Sequence, residues 1–181
     1  LPTIRSRCQR LEMRPLPYEE VVEHLVMQHA LERGQAERLA RLSGGCQGWA
    51  EGVMEDAQHL ERRKAELDTL AGLTQASLYD RFQYADSLAR RYSRDPEGGR
   101  EVLYLWLQWW RDILIVDEGV GELVLNLDMM QQLEHEAARY PGDTVVRFIR
   151  ELLATLDALE QNAAPRLALE NLMLALPGRE V

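Results

Sequence analysis

The sequence predicts an all-α protein, and three observations carry that prediction. The chain of 181 residues is dense in Leu, Ala, Glu, Gln and Arg, all of which favour helix. Its apolar residues recur at the three- and four-residue spacing of a helix face. Its 7 prolines and 12 glycines are too few for a disordered chain. The length suits one or two domains.

Residues 15–60 are predicted to form a small domain of three short helices. The two prolines in residues 15–17 disfavour helix, so a first helix can begin near Tyr18. Two glutamates would lie in its first turn, where carboxylates interact favourably with the helix dipole. Gly34 is expected to end this helix, and a second helix is expected over residues 35–43.

The glycine-rich residues 44–48 are predicted to be a turn between helices. They lack the Lys-Ser/Thr ending of a phosphate-binding loop, so a nucleotide cradle is not favoured. The third helix follows this turn, and its apolar residues are Trp49, Val53, Met54, Ala57 and Leu60.

Residues 61–181 are predicted to form a larger bundle of about five helices with short connections. Its charged start, residues 61–64, fits either a solvated stretch of one long helix or a linker between domains. Residues 95–99 are expected to form a turn, and Asn126 is expected to cap a helix. The apolar residues that define the helices include Leu78, Leu88, Val102, Trp106, Ile113, Leu133, Val145, Leu152, Leu159, Leu169 and Leu176.

Charge and cysteine content exclude several classes of function. Residues 1–14 carry a net charge of +3 and the remainder −12, and an acidic body argues against a DNA-gripping surface. Cys8 and Cys46 match no metal-binding spacing and indicate free thiols in a cytoplasmic protein. The most apolar run, residues 102–110, is too short to span a bilayer.

Three short stretches carry a resemblance to a known family. Residues 3–9, TIRSRCQ, contain Ser6-Arg7-Cys8, which resembles the Ser-Arg-Cys motif of clamp-loader ATPase subunits. Residues 39–50, LARLSGGCQGWA, and residues 162–172, NAAPRLALENL, are also similar to stretches of these subunits. On these stretches the chain resembles the delta prime family of clamp-loader subunits of bacterial DNA polymerase III, which belongs to the AAA+ proteins.

The resemblance implies an organisation for the whole chain. Residues 1–14 would be the tail of an AAA+ domain carrying the Ser-Arg-Cys motif. Residues 15–60 would form the three-helix lid, and residues 61–181 the helical collar through which subunits assemble into a ring. Because the motif lies at the end of a nucleotide-binding domain in this family, the chain is expected to be the C-terminal part of a larger protein.

The resemblance also implies roles for single residues. Arg7 would be an arginine finger acting in trans on ATP held by a neighbouring ATPase subunit. Gly48 occupies the position where active subunits carry a second nucleotide-contacting arginine, called sensor 2. Glycine has no side chain with which to contact a phosphate, so this subunit would give a finger without hydrolysing ATP. No catalytic site in cis, metal or cofactor is therefore expected.

The implied partners are the gamma/tau and delta subunits of the same loader, contacted through the collar. The sliding clamp and primed DNA would be reached only through the assembled complex, and no membrane partner is expected. Two other hypotheses remain open. The chain fits a gamma/tau ATPase subunit truncated after its collar, although Gly48 counts against it. It also fits a stand-alone helical adaptor in which Arg7 has no role.

Several other polar and aromatic residues receive plainer interpretations. The tryptophans Trp106, Trp109 and Trp110 are expected in the core or at a subunit interface rather than as a base-stacking platform. Since adjacent residues diverge on a helix, one of Trp109 and Trp110 is expected at an interface. Glu134-His135-Glu136 and Asp117-Glu118 are expected on solvated faces. No role is assigned to His24, His29 and His59, which have no clear partners in the sequence.

Overall fold

The computed structural model describes Arg7, Gln9, residues 13–56 and residues 58–178. Throughout this part of the chain the regular structure is helical, as the sequence predicts. The chain divides into two compact units, Leu1–Glu55 and Asp56–Val181. None of the described helices is both long enough and apolar enough to cross a membrane.

The described residues of the first unit form three helices, α1 (Tyr18–His29), α2 (Arg33–Leu42) and α3 (Gln47–Glu55). Its core is formed by Val21, Val22, Leu25, Ala36, Ala40 and Ala50. Helix α1 ends earlier than predicted, because Ala30 adopts a left-handed conformation (φ 53°) and donates its N–H to the carbonyl of Leu25. Gly34 therefore lies inside α2, and the prediction that it ends α1 is wrong.

Within residues 58–178, the second unit has six α-helices and two short 3₁₀ turns. The helices are α4 (Gln58–Gln75), α5 (Leu78–Arg94), α6 (Pro96–Asp117), α7 (Met130–Ala137), α8 (Gly142–Glu160) and α9 (Pro165–Ala175). The 3₁₀ turns, Gly121–Leu123 and Leu127–Met129, connect α6 to α7. Leu60, predicted on the third helix, lies on α4, and residues 61–64 are helical rather than a linker.

Side-chain caps determine where two of these helices begin. The hydroxyl of Ser77 accepts a hydrogen bond from the N–H of Asp80 at the start of α5. Asp95 caps α6 by accepting from the N–H of Gly98, and Pro96 occupies the first turn. The predicted turn at residues 95–99 is thus a helix start. The cap by Asp95 and the proline at the first helical position allow the helix to begin here, although Gly98 and Gly99 lie in its first turns.

Helix α6 is the centre of the second unit and packs against α4, α5, α7 and α8. Its three tryptophans, Trp106, Trp109 and Trp110, are 0%, 2% and 0% exposed. The prediction that one of the adjacent pair faces a subunit interface is wrong, since helices cover α6 on several sides and bury both. Trp106 stacks on Tyr84 at 5.7 Å between ring centroids, and Trp110 meets Phe148 edge-on at 4.9 Å.

Candidate functional site

The described part of the predicted finger motif is Arg7, which is exposed to solvent. Ser6 and Cys8 lie outside the described residues.

The segment leading into α1 is held by the glycine turn that precedes α3. The N–H of Leu16 donates to the carbonyl of Gly45 over 2.9 Å. Gly45 has a φ of 88°, and a Cβ atom there would lie 2.6 Å from the carbonyl oxygen of Leu16 and 2.7 Å from the Cβ of Pro15. Both the backbone conformation and the space therefore require glycine at this position. The turn predicted for residues 44–48 spans residues 43–45, and α3 begins at Gln47.

Gly48 is the second residue of α3 and is exposed. A Cβ atom built on it would meet nothing within 4 Å. Packing therefore does not demand glycine here, and a longer side chain would be accommodated. Its assignment to the sensor 2 position stays a prediction.

Two histidines of α1 and one glutamate of α3 form a polar cluster in the first unit. The Nε2 atoms of His24 and His29 lie 2.8 Å and 3.4 Å from the same oxygen, Oε1 of Glu51. Their rings are 5.6 Å apart in an edge-on arrangement. The Nε2 atom of Gln47 lies 2.8 Å from His24 Nε2 and 3.1 Å from Glu51 Oε1. These hydrogen bonds, that of Gln47 first and then those of the histidines, lower the pKa of Glu51 to about 2.

Sequence analysis missed this cluster for a physical reason. His24 and His29 are five residues apart, which is not a spacing that aligns two side chains on a helix. Glu51 lies more than twenty residues along the chain from either histidine, so only the packing of α3 beside α1 joins them. His59, also left without a role, has the guanidinium of Arg62 3.4 Å from its Nδ1.

The charged groups predicted on solvated faces, Asp117-Glu118 and Glu134-His135-Glu136, are exposed with one exception. Asp117, Glu118, Glu134 and His135 are exposed. Glu136 is only 7% exposed, so the prediction of a solvated face is wrong for this residue. Burial raises the pKa of Glu136, and the nearby charges of Arg139 and then His135 oppose that shift.

A buried polar network links α4, α6 and the connection after α6. Arg63, expected in a solvated stretch, is 7% exposed and donates to Asp128 over 2.9 Å and to the side-chain oxygen of Asn126. The side chain of Asn126 makes no capping bond, so its predicted role as an N-cap is wrong. It instead donates to the carboxylate of Asp112. The members of the network satisfy one another, which indicates a structural role.

Large apolar side chains are exposed on the last helix of the second unit. Leu167 and Leu174 are each 60% exposed, and they lie seven residues apart, which places them on one face of α9. Leu153 on α8 and Leu123 in the first 3₁₀ turn are 45% and 55% exposed.

A scan against protein-family models, a search of curated proteins and a search of solved structures found no match to this chain.

Proposed function

We propose that the chain is part of a delta prime-like subunit of a bacterial clamp loader, which supplies ring assembly and a trans arginine finger. The observation that carries the proposal is the order of three features along the chain. An exposed arginine within a Ser-Arg-Cys tripeptide is followed by a unit of three helices, and then by a larger helical bundle. A clamp-loader subunit has its finger motif, lid and collar in this order.

The physical role of the finger follows from the charge of phosphoryl transfer. As the γ-phosphoryl group is transferred, negative charge redistributes over its oxygens, and a guanidinium in contact stabilises it. A side chain supplied by the neighbouring subunit makes hydrolysis conditional on correct assembly. An exposed Arg7 is available to reach across an interface.

The collar would present the apolar face of α9 to neighbouring subunits. Leu167 and Leu174 lie on that face, and each is 60% exposed. Burying two leucines that are exposed in the isolated chain contributes roughly 1–2 kcal/mol each to association. The indole-rich helix α6 is excluded from this role because its tryptophans form the core of the unit.

Co-elution with light scattering tests the assembly. The chain would be mixed, without ATP or DNA, with collar fragments of delta and gamma/tau from the same source. The proposal predicts a stable mixed complex that is weakened at least about tenfold by Leu167→Glu combined with Leu174→Glu. Leu123→Glu, an equally exposed leucine in the 3₁₀ turn, serves as the control and should leave the complex intact.

The alternatives give different outcomes in the same experiment. A chain that elutes alone at every concentration contradicts the collar assignment and favours the stand-alone adaptor. A mixed complex accompanied by ATP hydrolysis from the native gene product on its own favours the gamma/tau subunit, which carries a complete nucleotide site.

A further inference from the structure

The cluster of His24, His29 and Glu51 has the composition and closeness of a metal site. One nitrogen from each histidine and one carboxylate oxygen of Glu51 lie within 4.8 Å of one another. Two imidazoles and a carboxylate are a ligand set that suits Zn²⁺, with water at the fourth position. The proposed function does not use these residues.

One contact in the cluster brings two nitrogen atoms within hydrogen-bond distance of each other. Nε2 of His24 lies 2.8 Å from both the amide nitrogen of Gln47 and Oε1 of Glu51. A protonated Nε2 donates to Glu51 but opposes the amide N–H of Gln47. An unprotonated Nε2 accepts from Gln47 but turns its lone pair toward the carboxylate.

Turning the amide of Gln47 does not remove the conflict. The amide oxygen would then occupy the position 3.1 Å from Oε1 of Glu51, where two acceptors oppose each other. A cation between His24 and Glu51 would bind the lone pairs of both, and the amide nitrogen of Gln47, 2.8 Å from Nε2 of His24, would then move away from that atom. Gln47 then keeps its hydrogen bond to the carboxylate and acts as a positioning residue.

We propose that His24, His29 and Glu51 bind Zn²⁺ and so link the end of α1 to α3. Tetrahedral zinc with bonds of about 2.0–2.1 Å separates neighbouring ligand atoms by roughly 3.3 Å. The distance from His29 to Glu51, 3.4 Å, already fits, and the distance from His24 to Glu51, 2.8 Å, opens by roughly half an ångström. The three side chains are 28–34% exposed, which gives the ion and a water ligand access.

The surroundings favour a cation at this position. His29 is the last residue of α1, where the helix dipole places partial negative charge. The carboxylate of Glu51 supplies a negatively charged oxygen to the cluster.

Zinc titration of the untagged chain, stripped of metal with a chelator, tests the proposal. We expect one Zn²⁺ per chain, measured by competition with a chromogenic chelator, and a higher melting temperature for the first unit. Glu51→Gln and His29→Ala should each lower the affinity at least about 100-fold, and Gln47→Ala about tenfold. His135→Ala, on an exposed histidine of α7, is the matched control and should bind as the parent chain does.

Co²⁺ substitution identifies the ligands independently of stability. Nitrogen and oxygen ligands give visible d–d bands without the near-ultraviolet band of a cobalt–thiolate bond. Circular dichroism of each metal-free variant establishes that it is folded, and His29→Ala at the end of α1 provides a second test if Glu51→Gln unfolds the unit. The proposal is overturned if the chain binds no Zn²⁺, if both variants bind as the parent does, or if the cobalt spectrum shows a thiolate band from Cys8 or Cys46.

Discussion

The side-chain amide of Asn126 donates to Oδ2 of Asp112 over 2.7 Å, with both residues almost completely buried. The same oxygen accepts from the backbone N–H groups of Leu125 (3.0 Å) and Asn126 (2.8 Å). One carboxylate on α6 therefore fixes the backbone of the segment that leads into α7. Arg63 of α4 bonds the other side of the Asn126 amide and joins a third element to the network.

Asp112→Asn should destabilise the second unit by about 2–4 kcal/mol. The amide loses the negative charge that strengthens three buried hydrogen bonds, and it places either a donor against the guanidinium of Arg111 or a donor against those N–H groups. Urea unfolding followed by the fluorescence of the three α6 tryptophans measures the loss. Asp117→Asn, an exposed residue on the same helix, should change the free energy of unfolding by less than about 0.5 kcal/mol. Equal effects of the two variants would contradict a structural role for the network.

Arg81 connects two helix ends, and its loss should destabilise the second unit by about 2–4 kcal/mol. Its guanidinium donates to the carbonyls of Leu73 (2.9 Å) and Thr74 (3.0 Å) near the end of α4, and to that of Leu176 (2.7 Å) just after α9. Arg81→Met leaves these buried carbonyls without their donor. Arg91→Met is the control, because Arg91 forms a half-exposed pair with Glu66 worth at most about 1 kcal/mol. Thermal unfolding that ranks the two variants equally would refute the prediction.

Gly45→Ala should destabilise the first unit by about 1–3 kcal/mol. A side chain at a φ of 88° is strained, and its Cβ would overlap Leu16 and Pro15. Gly52→Ala, in open space on α3, should instead stabilise the unit by about 0.5–1 kcal/mol. Hydrogen exchange of backbone amides in α1 to α3 measures both changes. A Gly45 variant whose amides exchange as slowly as those of the parent would show that the contact is dispensable.

The stability of the second unit should fall as the pH rises through the pKa of Glu136. Burial raises the pKa of this carboxyl above the ordinary 4.5, so the folded state holds its proton more tightly than the unfolded state does. The stabilisation from the protonated carboxyl is complete below the pKa of the unfolded state and is lost as the pH rises through the pKa of the folded state. Glu136→Gln should remove this part of the pH dependence and stabilise the unit at pH 7. Urea unfolding across a pH series measures the free energy of unfolding of the parent and the variant. Glu134→Gln, at an exposed position, is the control and is expected to behave as the parent does.

If the chain has the proposed function, Arg7→Ala should reduce ATP turnover by the assembled loader without preventing assembly. One interface site would lose a guanidinium worth about 10³–10⁵ in the rate of related nucleotide hydrolases. The measurement is clamp-dependent ATP hydrolysis by a loader reconstituted with the native gene product. Arg14→Ala, an exposed arginine in the same basic segment, is the matched control. Parental turnover with Arg7→Ala would leave the adaptor hypothesis as the better account.

The predictable part of the fold is the part that rests on local chemistry. Helix α1 begins at Tyr18, as the two preceding prolines predict, and this start depends only on residues close in sequence. Errors occurred where a local signal competed with packing. Ala30 takes the left-handed position that Gly34 was expected to fill, because Leu31 then packs on the core of the first unit.

Buried polar groups were not predictable, since their partners lie far away in sequence. From the sequence alone Arg63 is expected to be a solvated charge. The fold places Asn126 and Asp128 beside it, and both accept hydrogen bonds from its guanidinium. Glu136 differs from Glu134 only in the direction that it faces on α7. The association of His24 with His29 was likewise not predictable, because it depends on Glu51 of another helix, which contacts both.

The sequence by itself determined the all-helical character of the described residues and the approximate positions of many of their helices, because helix propensity and apolar spacing act over a few residues. Only the tertiary structure decided that three tryptophans are core residues, that Arg81 and Asp112 hold helix ends and connections, and that His24, His29 and Glu51 meet. These outcomes depend on which helix faces pack together, and that choice is made by the burial of apolar surface across the whole unit rather than by any local signal.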